Sequence, residues 1–566
     1  MKFQFQAVKS GFWISLILFS LNLVTFGQNE KPQIAKNIEK NNDPIVEEPI
    51  KTDSPAPIIE NTSIINRVGT DPAQTKPLTL NEAIKKALEN NNSIEVSRSD
   101  VKIAETQLRS LLGAYDPVFT ISPSYNNNVQ PQTSTLGGAD LSGVTRSNSL
   151  TFDSSVNHLL KNGGGSYNAF FNNSRNSTSN KFSQFNPTYV TSLGLQFTQP
   201  LWRNRAIDGT RRQIKIQRKR LEQSDADFRR QTIDVISQVQ RAYWDLVFAL
   251  RDQQNKVANL NLSKENLRRV EASIAAGKSA PLERAEVSTE LANRESDVLV
   301  AAQQVSIAEN TLKTLLLKES TDEAWKQSIV PTDQPVFSQD PVSLDDAMKD
   351  AMDNRPELRR LKLQVEINKV DLDYFKNQTK PRVDFNASYT LNGLSGATSA
   401  AAGTIPPQFV GGYGQSLSNL FKGDTRQISV GATISFPLRN KTAQADLAGA
   451  EIQKQQIEAQ TRSQEQLIMA EVRNAVQAVE TARQRVLTAR RGRENAEIQL
   501  NGERKLYDVG RSTTFLLFQR ENALTNARNS EIRAETDYNK ALSDLQKATS
   551  TTFRINNIEV SSPIEK

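Results

Sequence analysis

Phe228–Ala249, which reads FRRQTIDVISQVQRAYWDLVFA, sets its core-facing residues in steps of four and three: Phe228, Thr232, Val235, Val239, Ala242, Leu246 and Ala249. The row resumes at Leu260, Leu267 and Ile274. That is heptad spacing, the pattern of a helix packed lengthwise against other helices. The predicted helix runs from about Ala206 to Ala276, with no proline and one early glycine, Gly209. At about 1.5 Å per residue it is roughly 105 Å long, far beyond the usual three or four turns. A second stretch, Asn440 to Tyr507, repeats the pattern with Ile468, Val472, Ala475, Val479, Ala482, Val486, Ala489, Ala496 and Leu500. The chain therefore holds two copies of one long rod.

Working outward, the copies extend beyond the rods. Ser343-Leu344-Asp345-Asp346-Ala347 repeats Thr79-Leu80-Asn81-Glu82-Ala83 at an offset of 264 residues, and Pro381 and Tyr389 match Pro117 and Tyr125 at the same offset. The offset shortens to 237 at Gly431 and Pro437, against Gly194 and Pro200, and to 233 at Gly510 and Ser512, against Gly277 and Ser279. Drift of this kind puts insertions in loops and keeps the elements, which is the mark of an internal duplication. Thr79 and Glu82 form a capping box that starts a helix expected to run to about Gly113.

Between the helices the period changes to two. Tyr189, Thr191, Leu193, Leu195 and Phe197 share one strand face, and Val190, Ser192, Gly194, Gln196 and Thr198 the other. Phe385 to Leu391, Ile428 to Phe436 and Phe119 to Tyr125 alternate in the same way, giving four main strands. Shorter alternating pieces lie at Leu150–Val156 and Tyr167–Phe171, around Asn162-Gly163-Gly164-Gly165. Strands with one apolar and one polar face suit a membrane barrel, and equally a half-buried soluble sheet. The long polar stretches Asn126–Asn148 and Asn392–Asp424, read as loops without regular structure, favour the barrel. Four strands cannot close one, since about eight is the practical minimum. Three chains with cyclic symmetry give twelve.

Composition narrows the chemistry. The 566 residues include no cysteine and one histidine, His158, so disulfides and histidine- or cysteine-based metal or triad sites are not expected. A formal charge of +7 is slight for this length, and acidic and basic residues alternate, so no nucleic-acid partner is expected. Carboxylate-only sites stay open, but no paired-acid motif stands out, and no cofactor or metal is expected. Lys2 and Lys9 precede an apolar run, Phe12–Phe19, read as a signal peptide over 1–27, with an uncleaved anchor as the alternative. The remaining expected divisions are a flexible linker over 28–76, a first structural repeat over 77–317, a linker over 318–341 with a short helix near Ala324-Trp325, a second repeat over 342–548, and a tail over 549–566. Gly277-Lys278-Ser279 does not complete a phosphate-binding loop, because Ala272 stands where that motif needs glycine. No set of convergent polar residues marks an enzyme.

Leu78-Thr79-Leu80-Asn81-Glu82-Ala83 with Asn90, Phe197-Thr198-Gln199-Pro200-Leu201, Ala242-Tyr243-Trp244 and Val509-Gly510-Arg511-Ser512, in this order and partly duplicated, resemble the TolC family of outer-membrane efflux proteins. The resemblance covers nearly the whole chain after the expected signal peptide. It implies a mixed α/β membrane protein: a homotrimer whose twelve-stranded β-barrel continues into a long α-helical coiled-coil tunnel in the periplasm. It also implies docking to a periplasmic adaptor (a membrane fusion protein) and an inner-membrane transporter, so that cargo leaves passively through the outer membrane by efflux or type I secretion. The competing reading is a periplasmic adaptor or coiled-coil scaffold without a pore.

Family members close the tunnel near the helix turns. By count from the tip glycines, the resemblance assigns gate roles to Glu283, Tyr507 and Arg511, although Arg511 stands one place before the family's arginine, where this chain has Ser512. The alternative is that these are ordinary solvated helix residues. The acidic ring of some members is replaced by Leu516 and Gln519. The turns themselves, with Gly277, Lys278, Ser279, Gly510 and Ser512, are the expected adaptor contacts, since glycine allows a tight reversal of a helix pair.

Overall fold

A computed structural model describes residues 68–133, 137–139, 141–277, 280–399 and 403–564, all within Ile59–Lys566, one of two units into which the chain divides. The expected signal peptide and all of the expected linker before residue 68 lie outside the described residues.

Strand β1 (Asp71–Leu78) leads into helices α1 (Leu80–Asn90) and α2 (Asn92–Leu112). Strands β2 (Val118–Pro131), β3 (Val144–Leu159), β4 (Ser166–Thr178) and β5 (Phe185–Pro200) follow. Helices α3 (Gly209–Ala275) and α4 (Pro281–Leu316) then complete the first half, and β6 (Gln327–Pro331) connects it to the second. The second half runs α5 (Leu344–Asn354), α6 (Pro356–Gln378), β7 (Arg382–Thr398), α7 (Tyr413–Lys422), β8 (Arg426–Ser435), α8 (Lys441–Asp508) and α9 (Thr514–Thr549), followed by short α10 (Thr552–Ile555). The long helices α3 and α8 have 67 and 68 residues, and α4 and α9 have 36 each. The short helix expected near Ala324-Trp325 is a 3-10 turn at Glu323–Lys326.

Three expectations are corrected. The single helix from Thr79 to Gly113 is two, because Asn91 turns extended (ψ 122°) and its Oδ1 accepts from the amides of Ser93 and Ile94. The break recurs at Arg355 (ψ 121°), where Pro356 starts the next helix. The end of the linker over 28–76 is strand β1, which pairs in parallel with β6; a two-strand ladder whose partner lies some 250 residues away leaves no local period to read. Thirdly, the sheet has six strands per chain, in the order β2-β3-β4-β5-β7-β8, where four were expected. Much of Asn126–Asn148 and Asn392–Asp424, read as loop, is the upper part of β2, β3 and β7, together with α7. There Asn, Ser and Thr occupy both faces, so the strands lack the apolar alternation that marks them lower down.

Helix α3 packs against α2 and α4 on one flank and against α6 and α9 on the other. It buries 25 residues. Helix α8, flanked by α5, α6 and α9, buries nine of its 68 residues in one narrow stripe that includes Ala443, Ala450, Ile457, Val472, Val479 and Val486. Each half has its own core at mid-height. One gathers Phe228, Val235, Tyr243 and Leu246 with Ile84, Leu312 and Ile329. The other gathers Val472, Val479 and Val486 with Ala351, Leu358 and Tyr538. The C-terminal Phe553, Ile558, Val560 and Ile564 pack on the first core, so the expected tail is partly docked. Toward the tips only thin clusters remain, Val257-Leu260-Val298 and Leu500-Leu517-Leu524.

Candidate functional site

The pairing register puts most apolar side chains of the six strands on one face, with Phe170, Val190 and Leu394 on the other. Along it lie Phe119, Ile121 and Tyr125 of β2, Leu150, Phe152 and Val156 of β3, and Tyr167, Ala169 and Phe171 of β4. Leu193, Leu195 and Phe197 of β5, Phe385, Ala387 and Tyr389 of β7, and Ile428, Val430 and Ile434 of β8 continue it. The opposite face carries Thr120, Ser122, Thr151, Ser155, Asn172, Ser192, Gln196, Ser388, Thr390 and Ser429. Burying the first face in hydrocarbon removes it from water, while the second stays wetted. Both edge strands, β2 and β8, are exposed along their full lengths, so their ladder groups are free to pair. Among the described residues no helix is long and apolar enough to cross a membrane.

One helix covers part of the apolar face near its loop end. The Thr191 and Ser416 hydroxyls lie 3.0 Å apart, and the Tyr413 hydroxyl donates to Asn173 Oδ1 at 2.8 Å. Gly393 permits this approach, since a Cβ there would stand 2.1 Å from the Ser416 carbonyl oxygen.

The seam between α3 and α9 joins the two halves and is polar through most of its length. Lys547–Asp234 (2.8 Å), Arg241–Asp544 (2.9 Å) and Lys540–Asp245 (2.7 Å) bridge its upper part. Neutral amides take over lower down. Asn255 Nδ2 donates to Asn529 Oδ1 at 2.7 Å, and the Thr525 hydroxyl donates to Asn259 Oδ1 at 2.9 Å. Asn266 Nδ2 donates to Glu521 Oε2 at 3.2 Å, and Arg504 Nη2 lies 3.7 Å from the other oxygen. Burial pushes the Glu521 carboxyl up, opposed by the Arg504 charge. Contacts within each pair, α3–α4 and α8–α9, combine a small apolar cluster at the same depth with ion pairs such as Lys256–Asp297 (3.2 Å) and Arg493–Glu531 (2.6 Å).

A family model described as outer membrane efflux protein matches residues 166–316 and 347–551, more than half of the chain. The chain belongs to the outer membrane efflux protein family. Its TolC-like members are outer-membrane channel proteins, and the solved structures similar to this efflux-family chain are of that kind. The outer membrane channel CmeC of Campylobacter jejuni is 16% identical, with a TM-score of 0.58 over 85% of this chain and 90% of that one. The outer membrane protein VceC of Vibrio cholerae is 14% identical, with a TM-score of 0.55 over 83% and 95%. A membrane protein from Pseudomonas aeruginosa is 18% identical, with a TM-score of 0.58 over 83% and 90%. At these identities the likeness speaks for the fold. A search of curated protein sequences found no match.

In this efflux-family chain the sequence-derived gate residues sit near the helix tips without meeting one another. Tyr507 packs beside Leu500, Leu517 and Leu524, and its hydroxyl is 3.5 Å from the Thr514 hydroxyl. Glu283 lies in the first turn of α4, where its amide closes a turn on Ala280. The Arg511 amide donates to the Leu506 carbonyl. Among the described residues no hydrogen bond or ion pair joins these three side chains. Gly277 and Gly510 adopt positive φ, 70° and 73°, and a Cβ on either meets open space. Ser512 donates its hydroxyl to Glu503. Lys278 and Ser279 lie outside the described residues. The sequence reading missed the amide seam. Its signal is the recurrence of Asn255, Asn259 and Asn266 at four- and seven-residue spacing on the long helix, facing Glu521, Thr525 and Asn529 at intervals of four. Among the described residues no group of acidic and histidine side chains is arranged to hold a metal ion.

Proposed function

We propose that this chain is one subunit of a homotrimeric duct in the outer membrane, extending into the periplasm and giving passive exit to cargo driven by an inner-membrane transporter through a periplasmic adaptor. The observation that carries the reading is the six-strand apolar face joined directly to two helices about 100 Å long. Six strands are too few to close a barrel, and open edges cannot face lipid, so several chains share one wall. The far ends of the helix pairs, at Gly277 and Gly510, are the adaptor contacts on this reading, and Glu283, Tyr507 and Arg511 act between subunits in closing the tips. The pore-free scaffold has no use for a sheet with one continuous apolar face. A heat-modifiable trimer in the outer-membrane fraction that conducts in planar bilayers is the expected result; a soluble periplasmic protein ends the reading.

A further inference from the structure

We infer that three copies close a barrel of eighteen strands, in which the β3–β4 hairpin forms part of the wall and widens the bore. The inference rests on the trimeric duct proposed above. It begins with the pairing. Strand β3 is hydrogen-bonded to β2 from Val118↔Asn157 to Pro131↔Val144, and β4 to β5 from Ser166↔Thr198 to Asn176↔Thr188. The hairpin therefore stands between β2 and β5 along most of their length.

Its two faces match those of the strands on either side, apart from Phe170 on the polar face and His158, Asn173 and Arg175 on the apolar one. Leu150, Phe152, Val156, Tyr167, Ala169 and Phe171 fall on the apolar face, in line with Ile121 of β2 and Leu193 of β5. Thr151, Asp153, Ser155, Asn168 and Asn172 fall on the polar one. A plug inside the lumen has no reason to carry an apolar face, and a hairpin lying outside the wall would turn Asp153 toward lipid, which is costly at mid-depth. The hairpin turn is fixed at the base of the sheet, where the Gly163 carbonyl accepts from Gln199 Nε2 at 2.8 Å and Leu160 N donates to the Gly165 carbonyl at 2.8 Å.

The widths agree as well. Strands about 4.8 Å apart and tilted about 40° give a backbone diameter of roughly 36 Å for eighteen strands and roughly 24 Å for twelve. Each chain supplies four helical columns: α2 over α4, α3, α6 over α9, and α8. Twelve such columns at about 8–10 Å spacing make a ring roughly 31–38 Å across. The eighteen-strand wall continues that ring without a constriction at the membrane. The membrane segment then sets no tighter size limit on cargo than the helices do.

The test uses the trimer in outer membranes and planar bilayers. The chain has no cysteine, so single thiols can be placed cleanly. A charged, water-soluble maleimide is expected to label Thr151→Cys, Ser155→Cys and Asn172→Cys and to spare Phe152→Cys, Val156→Cys and Phe171→Cys. Uniform labelling in a trimer that still conducts overturns the eighteen-strand wall alone; a wild-type chain that forms no channel overturns the duct and this inference with it. Deleting Val144–Thr178 leaves β2 and β5 free to pair. It is expected to lower the diameter of the largest polyethylene glycol admitted from the extracellular side by at least a third. An unchanged cut-off overturns the inference, and if the deletion variant does not assemble, the labelling pattern decides.

Discussion

The Tyr243 phenol lies 2.6 Å from Asp333 Oδ2, and through this contact the first long helix is tied to the belt where both halves meet. The same hydroxyl, whose proton goes to that carboxylate, lies 3.1 Å from the Leu78 carbonyl and accepts from the Asp333 amide at 3.2 Å, while the same carboxylate oxygen accepts from Leu80 N at 2.6 Å. Tyr243 is completely buried. Removing its hydroxyl strands a carboxylate among fewer donors, so Tyr243→Phe is expected to cost about 1–3 kcal/mol, read as a lower unfolding temperature of the trimer.

That phenol also sets an alkaline limit. Burial, and then the Asp333 carboxylate, push its ionisation well above the usual value. The folded pKa is raised, so the contribution is complete below the unfolded value of about 10 and is lost as pH rises beyond it. Stability of the wild type should fall above about pH 10 more steeply than that of Tyr243→Phe; equal slopes in pH-dependent melting would count against the assignment.

The α3–α9 seam should respond to pH in the acid range through Glu521. Its folded pKa is raised by burial, so the seam is held best below the unfolded carboxylate value of about 4.3, and that contribution is lost as pH rises through the folded value. Glu521→Gln keeps a partner for Asn266 without the buried charge, and is expected to slow hydrogen exchange in the lower helices at neutral pH. Asn266→Ala should speed it. Exchange unchanged in both variants would remove the seam from any account of opening.

At the tips, the proposed gate calls for Glu283→Ala and Tyr507→Phe to raise single-channel conductance or open probability. Arg511→Ala should act in the same direction, because none of these side chains finds another of the set within its own chain. Conductance indistinguishable from wild type in all three returns them to ordinary solvated helix residues.

At mid-height, Lys313 and Glu309 pair at 3.1 Å with both side chains 1% exposed. Lys313 Nζ also donates to the Trp325 carbonyl at 2.7 Å, and Glu309 accepts from Ile329 N at 2.8 Å. Lys313→Ala leaves a buried carboxylate without its cation and is expected to destabilise the fold by about 3–5 kcal/mol in denaturant titration.

Periodicity is a local property, and what depends on it was legible in the residues. The two rods end within a few residues of their expected limits at Ala276 and Tyr507, and the turns fall at Gly277 and Gly510. Strand alternation was legible wherever lipid and water would face opposite sides, as in Leu193–Phe197. It faded where polar residues such as Asn, Ser and Thr occupy both faces, so Asn126–Pro131 and Val144–Asn148 read as loop although they pair residue by residue. The break at Asn91 was hidden because both flanking helices keep the same apolar period, while the extended turn is held by Asn91 and by its Nδ2 contact with the Leu315 carbonyl, more than 200 residues away.

By itself, then, the sequence determined the duplicated helix–strand–helix plan and the amphipathic sense of its elements, since each is written in the spacing of neighbouring side chains. The tertiary structure alone decided which elements became partners. It placed β3–β4 between β2 and β5, laid a helix over Gly393, joined β1 to β6, and set Asn255, Asn259 and Asn266 against α9. Pairing depends on what stands across the contact, and a strand or helix carries no local mark of its distant neighbour.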